Sequence, residues 1–497
     1  MSQTTVDWRS RAQALKLPER AFIAGKFSAA DSGKTFDVVN PADGKRFASL
    51  PACEASDVDR AVKAARKAFD SGVWSGMAPR ERKKVMLRLA ALVEKHREEL
   101  ALLDTLSMGM PIAISNGYCI QWTISALEWY AEAIDKIYDE IAPTDKSVLA
   151  MITREPVGVV AAVLPWNWPM GLLGWKVPPA LAAGNSVVLK PDEQTSLSAL
   201  RFAGLVQEAG IPDGVFNVVT GGPAAGEAIG RHMDIDTVAF TGSGEVGKLF
   251  LKYSSESNGK PVWTECGGKG PNIVFADAPD LDAAAQASAL AIFLNTGQVC
   301  AAGSRLIVEE SVRERVLAVV SAVGQQLAPN DPLAGDTMLG PIAKSSQLER
   351  VMGYIEAGTA GGARLVTGGR RARATSGGFF VEPTVFDGVD NSMRIAQEEI
   401  FGPVLSTISF KTPEEAVQIA NASSYGLAGA IWTRDVSRAH TLARALRVGS
   451  VAINTYGEDA HDITVPFGGY KQSGFGRDKS LHALDKYTQL KTTWLKL

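Results

Sequence analysis

The sequence is poor in cysteine and histidine, the residues that build most disulfide frameworks and zinc sites. Its 497 residues include five histidines and four cysteines, Cys53, Cys119, Cys266 and Cys300. Four cysteines are too few for a disulfide framework, and none of them has metal-ligand spacing. We therefore expect no bound metal, a reducing cytoplasmic compartment and four candidate free thiols.

Long apolar runs and an excess of charge of one sign are also missing. The longest apolar runs, such as residues 157–164, have the length of a strand and fall far short of a membrane span. The first residues lack the basic and apolar segments of a secretory signal, so we expect none. Fifty-one basic and 54 acidic residues give a net charge of −3. This balance gives no reason to expect nucleic acid or a membrane as a partner.

What the sequence does contain is two series of alternating strands and helices. Hydrophobic residues make up 46% of the chain, and its length exceeds what one core usually serves, so two or three domains are expected. The alternation that begins at Val157 predicts a parallel, doubly wound sheet. After Glu265 the alternation resumes, which predicts a second α/β domain. The predicted strands are Val159–Leu164, Ser186–Leu189, Val215–Val219, Thr237–Phe240, Pro261–Thr264, Ile273–Phe275, Leu427–Thr433 and Ser450–Asn454. The predicted helices are Val58–Phe69 with Asp57 as its cap, a region over Ala78–Leu106, Ser196–Ala209, Ala224–Arg231, Gly244–Ser255 and Leu281–Leu294.

Two residues with reactive side chains follow predicted elements. Cys300 comes after a glycine-containing turn at the end of a helix, and Glu265 ends an apolar strand before two glycines. A lone cysteine is more often a buried packing residue, and a glutamate at a strand end is more often a capping or surface residue. Taken singly, neither residue predicts a catalytic site.

Three further segments change this interpretation. They are Pro-Trp-Asn-Trp-Pro at 165–169, Glu-Glu-Ile-Phe-Gly-Pro at 398–403 and Pro-Phe-Gly-Gly-Tyr-Lys at 466–471. With the Glu265 and Cys300 segments, their order and spacing resemble the signature segments of the aldehyde dehydrogenase superfamily. The resemblance extends from residues 22–25 to 486–488. It implies a Rossmann-like cofactor-binding domain, a second α/β catalytic domain and a β-rich oligomerisation arm.

The resemblance also implies roles for four residues in the oxidation of an aldehyde to a carboxylic acid. A trigonal aldehyde carbon does not readily release a hydride, so a nucleophile must first make it tetrahedral, and Cys300 is implied as that nucleophile, forming a thioester. The side-chain amide of Asn167 and the backbone N–H of Cys300 are the implied donors to the oxyanion. Glu265 is the implied general base. Lys176 matches a lysine that contacts the cofactor ribose and relays protons.

The predicted dinucleotide site contains a misleading motif. Residues 242–247 satisfy G-x-G-x-x-G between a strand and a helix, and the acidic residue expected to hold the ribose would then be Glu265. The resemblance instead assigns the ribose to Lys190 and Glu193 and the pyrophosphate to the helix that begins after Ser243. NAD is the expected cofactor because the Glu193 carboxylate accepts ribose hydroxyls and repels a 2′-phosphate; Lys190 and a mobile Glu193 leave NADP as an alternative. The implied cofactor-binding residues are Trp166, Lys190, Glu193, Gly242, Ser243, Glu399 and Phe401.

The substrate is expected to be a small aldehyde with a nitrogen-bearing chain. The loop at 454–462 has three carboxylates in five residues, including Glu458 and Asp459, and an acidic mouth on an apolar tunnel suits an ω-amino or guanidino aldehyde. The run at 476–484 resembles γ-glutamyl-γ-aminobutyraldehyde and guanidinobutyraldehyde dehydrogenases of polyamine and arginine breakdown. An equally supported alternative is that these carboxylates only interact with water and have no role in substrate binding. The implied tunnel residues are Trp168, Leu172, Trp175, Val299, Glu458, Asp459 and Phe467.

The resemblance implies a division of the chain and a homo-oligomer. Residues 1–133 and 157–262 are expected to form the NAD(P)-binding domain, 263–475 the catalytic domain, and 134–156 with 476–497 the oligomerisation segments of a homodimer or homotetramer. Apolar residues at 148–152 are expected on an edge strand, which a neighbouring subunit would cover.

Three other functions remain open at this point. A CoA-acylating aldehyde dehydrogenase typically lacks a carboxylate at the position of Glu265. A thiol esterase would leave Lys190, Glu193, Glu399 and Phe401 without a role. A structural protein recruited from a dehydrogenase would usually have lost the nucleophile or the base.

Overall fold

The larger of two main sheets places the residues singled out above at one edge. The computed structural model describes residues 6–457 and 462–497. This sheet has eight strands, of which five neighbouring ones are parallel and the outer three are antiparallel. In spatial order they are Gly474–Phe475, Val262–Cys266, Thr237–Gly242, Val159–Val163, Ser186–Lys190, Phe216–Val218, Ala21–Ile23 and Lys26–Ser28.

The second main sheet has seven strands and is parallel except for its first pair. In spatial order they are Arg364–Thr367, Thr384–Asp387, Val404–Phe410, Arg305–Glu309, Pro271–Val274, Ala428–Trp432 and Ser450–Ile453. A three-stranded sheet of Thr488–Lys496, Val148–Pro156 and Glu140–Ala142 and a hairpin of Thr35–Asn40 and Lys45–Pro51 complete the described strands. The predicted mixed α/β class is confirmed.

The α-helices can be divided into those up to residue 255 and those after it. The former are Trp8–Gln13, Ala55–Asp70, Pro79–Lys95, Arg97–Met108, Ile112–Ile114, Ile120–Ala133, Pro169–Ala182, Leu197–Glu208, Pro223–Arg231 and Gly244–Ser255. The latter are Leu281–Phe293, Arg313–Gln326, Ser345–Ala360, Arg394–Gln397, Pro413–Asn421 and Val436–Ala445. Among the described residues, no helix has both the length and the apolar character needed to cross a membrane.

One local prediction in the N-terminal helices was wrong. Asp57 is not the residue that precedes its helix: Glu54 takes that place, and Asp57 completes a capping box by accepting from the Glu54 backbone N–H. The helical region predicted over 78–106 is confirmed and consists of two helices. They are separated by His96, whose φ of −103° and ψ of 18° lie outside the helical range.

The prediction that residues 148–152 lie on an edge strand was also wrong. Val148–Pro156 is the central strand of the three-stranded sheet, because the C-terminal strand Thr488–Lys496 of the same chain pairs with it along nine residues. The domain division stays a prediction, and the strand Val262–Cys266 spans its boundary at 262/263.

The parallel strands of the first sheet bring polar residues to one edge. Lys190 ends one strand, Ser243 follows another, and Glu265 lies at the end of a third. Asn167 lies in the short segment after the strand Val159–Val163. Because the carboxyl ends of parallel strands meet at the same edge, this is where α/β sheets bind ligands.

Candidate active site

Two adjoining cavities at this edge contain most of the predicted site residues. A cavity of about 170 Å³ is bordered by Asn167, Glu265 and Cys300, and one of about 390 Å³ by Lys190 and Glu193. Five residues border both cavities, so that the two form one continuous cleft: Pro165, Trp166, Thr241, Gly242 and Ser243. Leu172, Glu399 and Phe401 also border the smaller cavity.

The backbone before Cys300 is held in an unusual conformation. Asn295 and Thr296 have φ values of 49° and 56°, and Gly297 follows with 71°. Such φ values cost non-glycine residues on the order of 1–3 kcal/mol each, and they persist only where the surroundings hold them. At Gly297 a Cβ atom would lie 2.2 Å from the backbone of Gly402, so that only glycine fits. This turn directs the chain into the cavity at Cys300.

Hydrogen bonds fix the Cys300 loop against Asn167. The Asn167 side chain donates from Nδ2 to the backbone oxygen of Gln298 at 2.9 Å, and its own backbone oxygen accepts from Asn295 Nδ2 at 3.0 Å. The Gln298 side chain in turn accepts from the Ala343 N–H at 2.9 Å. An amide carries two N–H groups, so Asn167 has a second donor for an oxyanion beside Cys300.

Burial disfavours the charged forms of both the thiol and the carboxyl. It raises the pKa of the Cys300 thiol far above its usual range, and the nearby Glu265 and Glu399 carboxylates add to this effect. Burial also raises the pKa of Glu265 to about 8, with a further contribution from Asp478. The Oε1 atom of Glu265 is buried without a hydrogen-bond partner among the described residues. A carboxyl with such a pKa is suited to exchange protons near neutral pH.

Behind Glu265 lies a buried charge cluster that consists of Lys176, Asp478 and Lys486. Lys176 Nζ donates to Asp478 Oδ2 at 2.9 Å, and Lys486 Nζ pairs with the other oxygen of the same carboxylate. Burial alone would raise the pKa of Asp478, but the two lysine cations outweigh it and lower the value. Burial lowers the pKa of Lys486 to about 8. A void of about 10 Å³, the size of one water molecule, is bordered by Glu265 and all three residues.

The sequence interpretation missed Asp478 and Lys486. Both lie in or just after the run at 476–484, which was used only for its resemblance, and no local pattern marked them as buried. Lys176 pairs with Asp478 and borders the small void together with Glu265. Its contact with the cofactor ribose and its part in a proton relay stay predictions.

The larger cavity has the chemistry of a dinucleotide site. Lys190 is buried at the end of a strand. Among the hydrogen bonds of the described residues, its Nζ makes one long contact, of 3.4 Å, to the Pro191 oxygen. Ser243 precedes the twelve-residue helix Gly244–Ser255, whose first N–H groups are unpaired within the helix and favour an anion. A Cβ at Gly244 would meet open space. These residues therefore fit the diphosphate and ribose of NAD.

A lysine that the sequence interpretation missed lies at the rim of this cavity. Lys344 Nζ lies 2.8 Å from Asp192 Oδ1 and 3.2 Å from Glu193 Oε1. It comes from the segment before the helix Ser345–Ala360, so it approaches the first sheet from a distant part of the sequence. Glu193 is therefore paired with a cation in this structure.

Glu399 and Phe401 both border the smaller cavity. Glu399 Oε1 accepts from the Gly268 N–H at 3.1 Å, and burial raises the pKa of Glu399 to about 7. Phe401 has a φ of 58° and packs edge-on against Trp166, with ring centroids 5.2 Å apart. Phe401 therefore contacts a residue that borders both cavities.

The predicted tunnel residues form an aromatic cluster beside Cys300. Leu172 borders the cavity, and Trp175 lies one turn further on the same helix face. Trp122, which the sequence interpretation missed, connects Trp175 with Trp168 at centroid distances of 5.7 and 4.8 Å. The cluster also includes Phe467, 5.2 Å from Trp175, and the half-buried Val299. Glu458 and Asp459 lie outside the described residues.

The position of Glu265 argues against the simple interpretation of the glycine motif. Glu265 pairs with Thr241 in the neighbouring strand and borders the cavity that contains Cys300. The cavity that contains Lys190 is not bordered by it. Within the described ranges, no group of three or more histidine, cysteine or acidic side chains is arranged to hold a metal ion.

A doubly wound sheet whose edge carries a thiol, a carboxyl and a dinucleotide-type cleft defines a cofactor-dependent oxidoreductase architecture. The aldehyde dehydrogenase family profile matches residues 27–493. The chain belongs to the aldehyde dehydrogenase family.

Proteins of this family with named activities match the chain along almost its whole length. The NADP/NAD-dependent aldehyde dehydrogenase PuuC of Escherichia coli is 50% identical, over 99% of this chain and 98% of that protein. A structure of the AldA indole-3-acetaldehyde dehydrogenase of P. syringae with NAD+ and IAA is 56% identical, covers 99% of both chains and has a TM-score of 0.97. The γ-glutamyl-γ-aminobutyraldehyde dehydrogenase structure from Burkholderia cenocepacia is 53% identical, with the same coverage and TM-score.

Proposed function

We propose that this protein oxidises an aldehyde to a carboxylic acid with NAD, or alternatively NADP, through a thioester on Cys300. The observation that carries the proposal is that Cys300, Asn167 and Glu265 border one cavity. That cavity is continuous with the cleft of Lys190, Glu193 and Ser243. A nucleophile, an oxyanion donor and a base therefore lie together beside a site suited to a dinucleotide.

The proposed roles follow from the chemistry of each group. The Cys300 thiol gives up its proton to water in the cleft as its sulfur forms a C–S bond to the carbonyl carbon. The oxyanion is stabilised by the Asn167 amide and the Cys300 N–H, each donor contributing about 3–4 kcal/mol. Bound NAD supplies the acceptor for the hydride. The substrate carbon is then a thioester on Cys300. Glu265 takes a proton from the water that attacks this thioester, the C–S bond breaks, and the carboxylic acid leaves.

The alternatives are less consistent with the same residues. A CoA-acylating enzyme needs no base for water, whereas Glu265 borders the Cys300 cavity. A thiol esterase would leave the cleft at Lys190 without a role. A protein without catalytic function would leave the strained turn at 295–297 without one.

Replacement of Cys300 tests the proposal directly. Cys300→Ser and Cys300→Ala are expected to fold normally and to lose several orders of magnitude in turnover, because a hydroxyl is a far poorer nucleophile here and a methyl group is none. The measurement is aldehyde-dependent formation of NADH without CoA. Cys119→Ser, at a buried thiol outside the cavity, is the matched control. Near-wild-type rates in Cys300→Ala would refute the thioester.

The proposed substrate is an amino- or guanidino-aldehyde from polyamine or arginine breakdown. Support comes from the names of two relatives, aminoacetaldehyde dehydrogenase of Pseudomonas aeruginosa and γ-glutamyl-γ-aminobutyraldehyde dehydrogenase. The double change Glu458→Gln/Asp459→Asn tests the acidic mouth. We expect a four-carbon amino or guanidino aldehyde to have a lower KM than its uncharged analogue, and we expect this difference to disappear in the double variant. If either expectation fails, the acidic loop does not select the cation.

We further propose that the chain forms a homodimer or homotetramer through the three-stranded sheet. Its outer strands expose apolar side chains, including Ile141, Leu490 and Trp494, and such strands are usually covered. Analytical ultracentrifugation at micromolar concentration tests this, and a monomeric mass would refute it. The four free thiols support a reducing, cytoplasmic location.

A further inference from the structure

Two buried polar atoms beside the charge cluster have no hydrogen-bond partner among the described residues. They are the indole nitrogen Nε1 of Trp263 and the carboxyl oxygen Oε1 of Glu265. Leaving a buried donor or acceptor unpaired is costly, so such atoms usually have a partner, which is either a protein group or an ordered water molecule. One of these two atoms is a donor and the other an acceptor, so a single water molecule satisfies both.

The two residues border the same small space. Both border the void of about 10 Å³ behind Glu265. They are two positions apart in the strand Val262–Cys266, so their side chains leave the sheet on the same side. Gly476, which also borders the void, packs directly on the Trp263 ring: a Cβ atom at Gly476 would lie 2.8 Å from it. The indole and the carboxyl are thus held on one void by the strand and by this close contact.

The void has the size and the surroundings of a water site. A volume of about 10 Å³ is room for one water molecule. Buried water typically makes about three hydrogen bonds to polar groups, whereas purely apolar cavities stay dry. Besides the indole and the carboxyl, the void is bordered by Lys176, Asp478 and Lys486. It therefore offers a water molecule both donors and acceptors.

We propose that a water molecule in this void connects Trp263 Nε1 with Glu265 Oε1, and that Trp263 is a positioning residue for the base. The inference rests on the proposed function, because it takes Glu265 to be the general base. The indole N–H donates to the water oxygen, and the water donates to the carboxyl oxygen. The other carboxyl oxygen is then left for the water that attacks the thioester, since Glu265 also borders the Cys300 cavity.

This arrangement favours the charged form of Glu265. A donor that reaches a carboxyl group stabilises the carboxylate, which is the form that takes a proton from water. Trp263 thus opposes the burial that raises the pKa of Glu265, as do the charges of Lys176, Lys486 and Arg477, whereas Asp478 adds to the effect of burial. On the cleft side, the titratable and charged groups that border the same cavity as Glu265 are Cys266, Cys300, Arg350 and Glu399. A change at Trp263 leaves all of these groups in the protein.

Trp263→Phe tests the inference, because phenylalanine keeps an aromatic ring but has no N–H group. Single-turnover cleavage of the thioester at pH 7 should become about tenfold slower, because less of Glu265 is charged. This difference should shrink at higher pH, and the midpoint of the rate profile should move upward by about one pH unit. The NADH burst that precedes cleavage should keep its rate. Trp432→Phe is the matched control, since it removes an indole N–H that donates to Asn272 Oδ1 at 2.8 Å. It should behave like the wild type.

Two kinetic results would decide against Trp263. One is cleavage in Trp263→Phe within about twofold of the wild-type rate at pH 7. The other is an equal loss of rate at every pH, which a merely structural defect produces.

A high-resolution crystal structure of the wild-type protein tests the water site without any variant. A water molecule within hydrogen-bond distance of both Trp263 Nε1 and Glu265 Oε1 is expected, and a void without one would overturn the inference. Absence of an NADH burst in the wild type would instead overturn the proposed function, whereas the crystallographic result would still show whether the water is bound.

Discussion

The two ends of the cleft have ion pairs of the same kind next to them, but in very different surroundings. At the Cys300 end, Lys176 and Asp478 pair with both side chains 1% exposed. At the nucleotide end, Lys344 and Glu193 pair with side chains 23% and 42% exposed. Water screens the charges of the second pair, whereas the first pair is shielded from bulk water. Ion pairs of the same kind therefore differ in the free energy that they contribute at the two ends.

This difference suits the two ends to different tasks. The buried Lys176–Asp478–Lys486 cluster is a fixed field beside Glu265, and its charges cannot be rearranged cheaply. The pair at the rim can separate when an anionic ligand arrives, because its partners are partly solvated already. The predictions below test this contrast, from the largest expected effect to the smallest.

The largest effect is expected at the buried end, from Glu265→Gln. Loss of a general base typically costs about 10²–10⁴-fold in the step it serves. Because the base acts on the water that cleaves the thioester, we expect a burst of one NADH per active site followed by very slow turnover. Stopped-flow absorbance measures both phases. Glu356→Gln, at an exposed helix position, is the control. Normal steady-state turnover in Glu265→Gln would remove Glu265 from this role.

The second effect compares the two ends directly through stability. Asp478→Asn leaves Lys176 and Lys486 buried without their counter-charge, and breaking a buried pair in this way costs about 3–5 kcal/mol in the free energy of unfolding. Glu193→Gln removes one side of the exposed pair and should cost about 0–1 kcal/mol. Urea unfolding of both variants at one pH measures the two values. Equal losses in the free energy of unfolding would mean that burial does not make the two ion pairs energetically different.

The third prediction concerns the pH dependence of thioester cleavage. The pKa of Glu265 is raised to about 8, and the carboxylate is the form that accepts a proton from water. Cleavage should therefore speed up as the pH rises and level off above about 8, whereas an ordinary glutamate would give a constant rate above pH 6. Single-turnover rates from pH 6 to 9.5 provide the profile.

Asp478→Asn provides a further test of this pH profile. The Asp478 charge contributes to the raised pKa of Glu265, whereas Lys176 and Lys486 lower it. Removal of the carboxylate should move the midpoint of the rate profile to lower pH. A midpoint that stays in place or moves upward would contradict the arrangement of charges described here.

The smallest effect is expected at the rim. Lys344→Met removes a cation that lies beside Glu193, where the 2′-phosphate of NADP would approach. We expect kcat/KM with NADP to fall relative to NAD by up to about tenfold, consistent with a partly screened charge. Glu193→Gln should change the ratio in the opposite direction. Initial rates with both cofactors measure the ratio of the two kcat/KM values. If this ratio is unchanged in both variants, the 2′ position of the cofactor ribose does not lie beside Lys344 and Glu193.

Several features of the molecule follow from the sequence alone. The alternation of strands and helices gives the α/β class, since hydrophobic period and turn residues are local properties. The five signature segments identify the family because order and spacing are visible in a linear sequence. The expectation that residues 148–152 lie on an edge strand failed because the strand that pairs with them, Thr488–Lys496, lies more than 300 residues away in the sequence.

Only the tertiary structure decides which charges are buried together and which remain in water. Asp478, Lys486 and Lys344 have no local pattern that distinguishes them from surface residues, yet two of them are enclosed behind Glu265 and the third lies beside Glu193. The sequence determines which groups are present, whereas the distances and burial that set their pKa values and specificity arise from segments that meet only on folding.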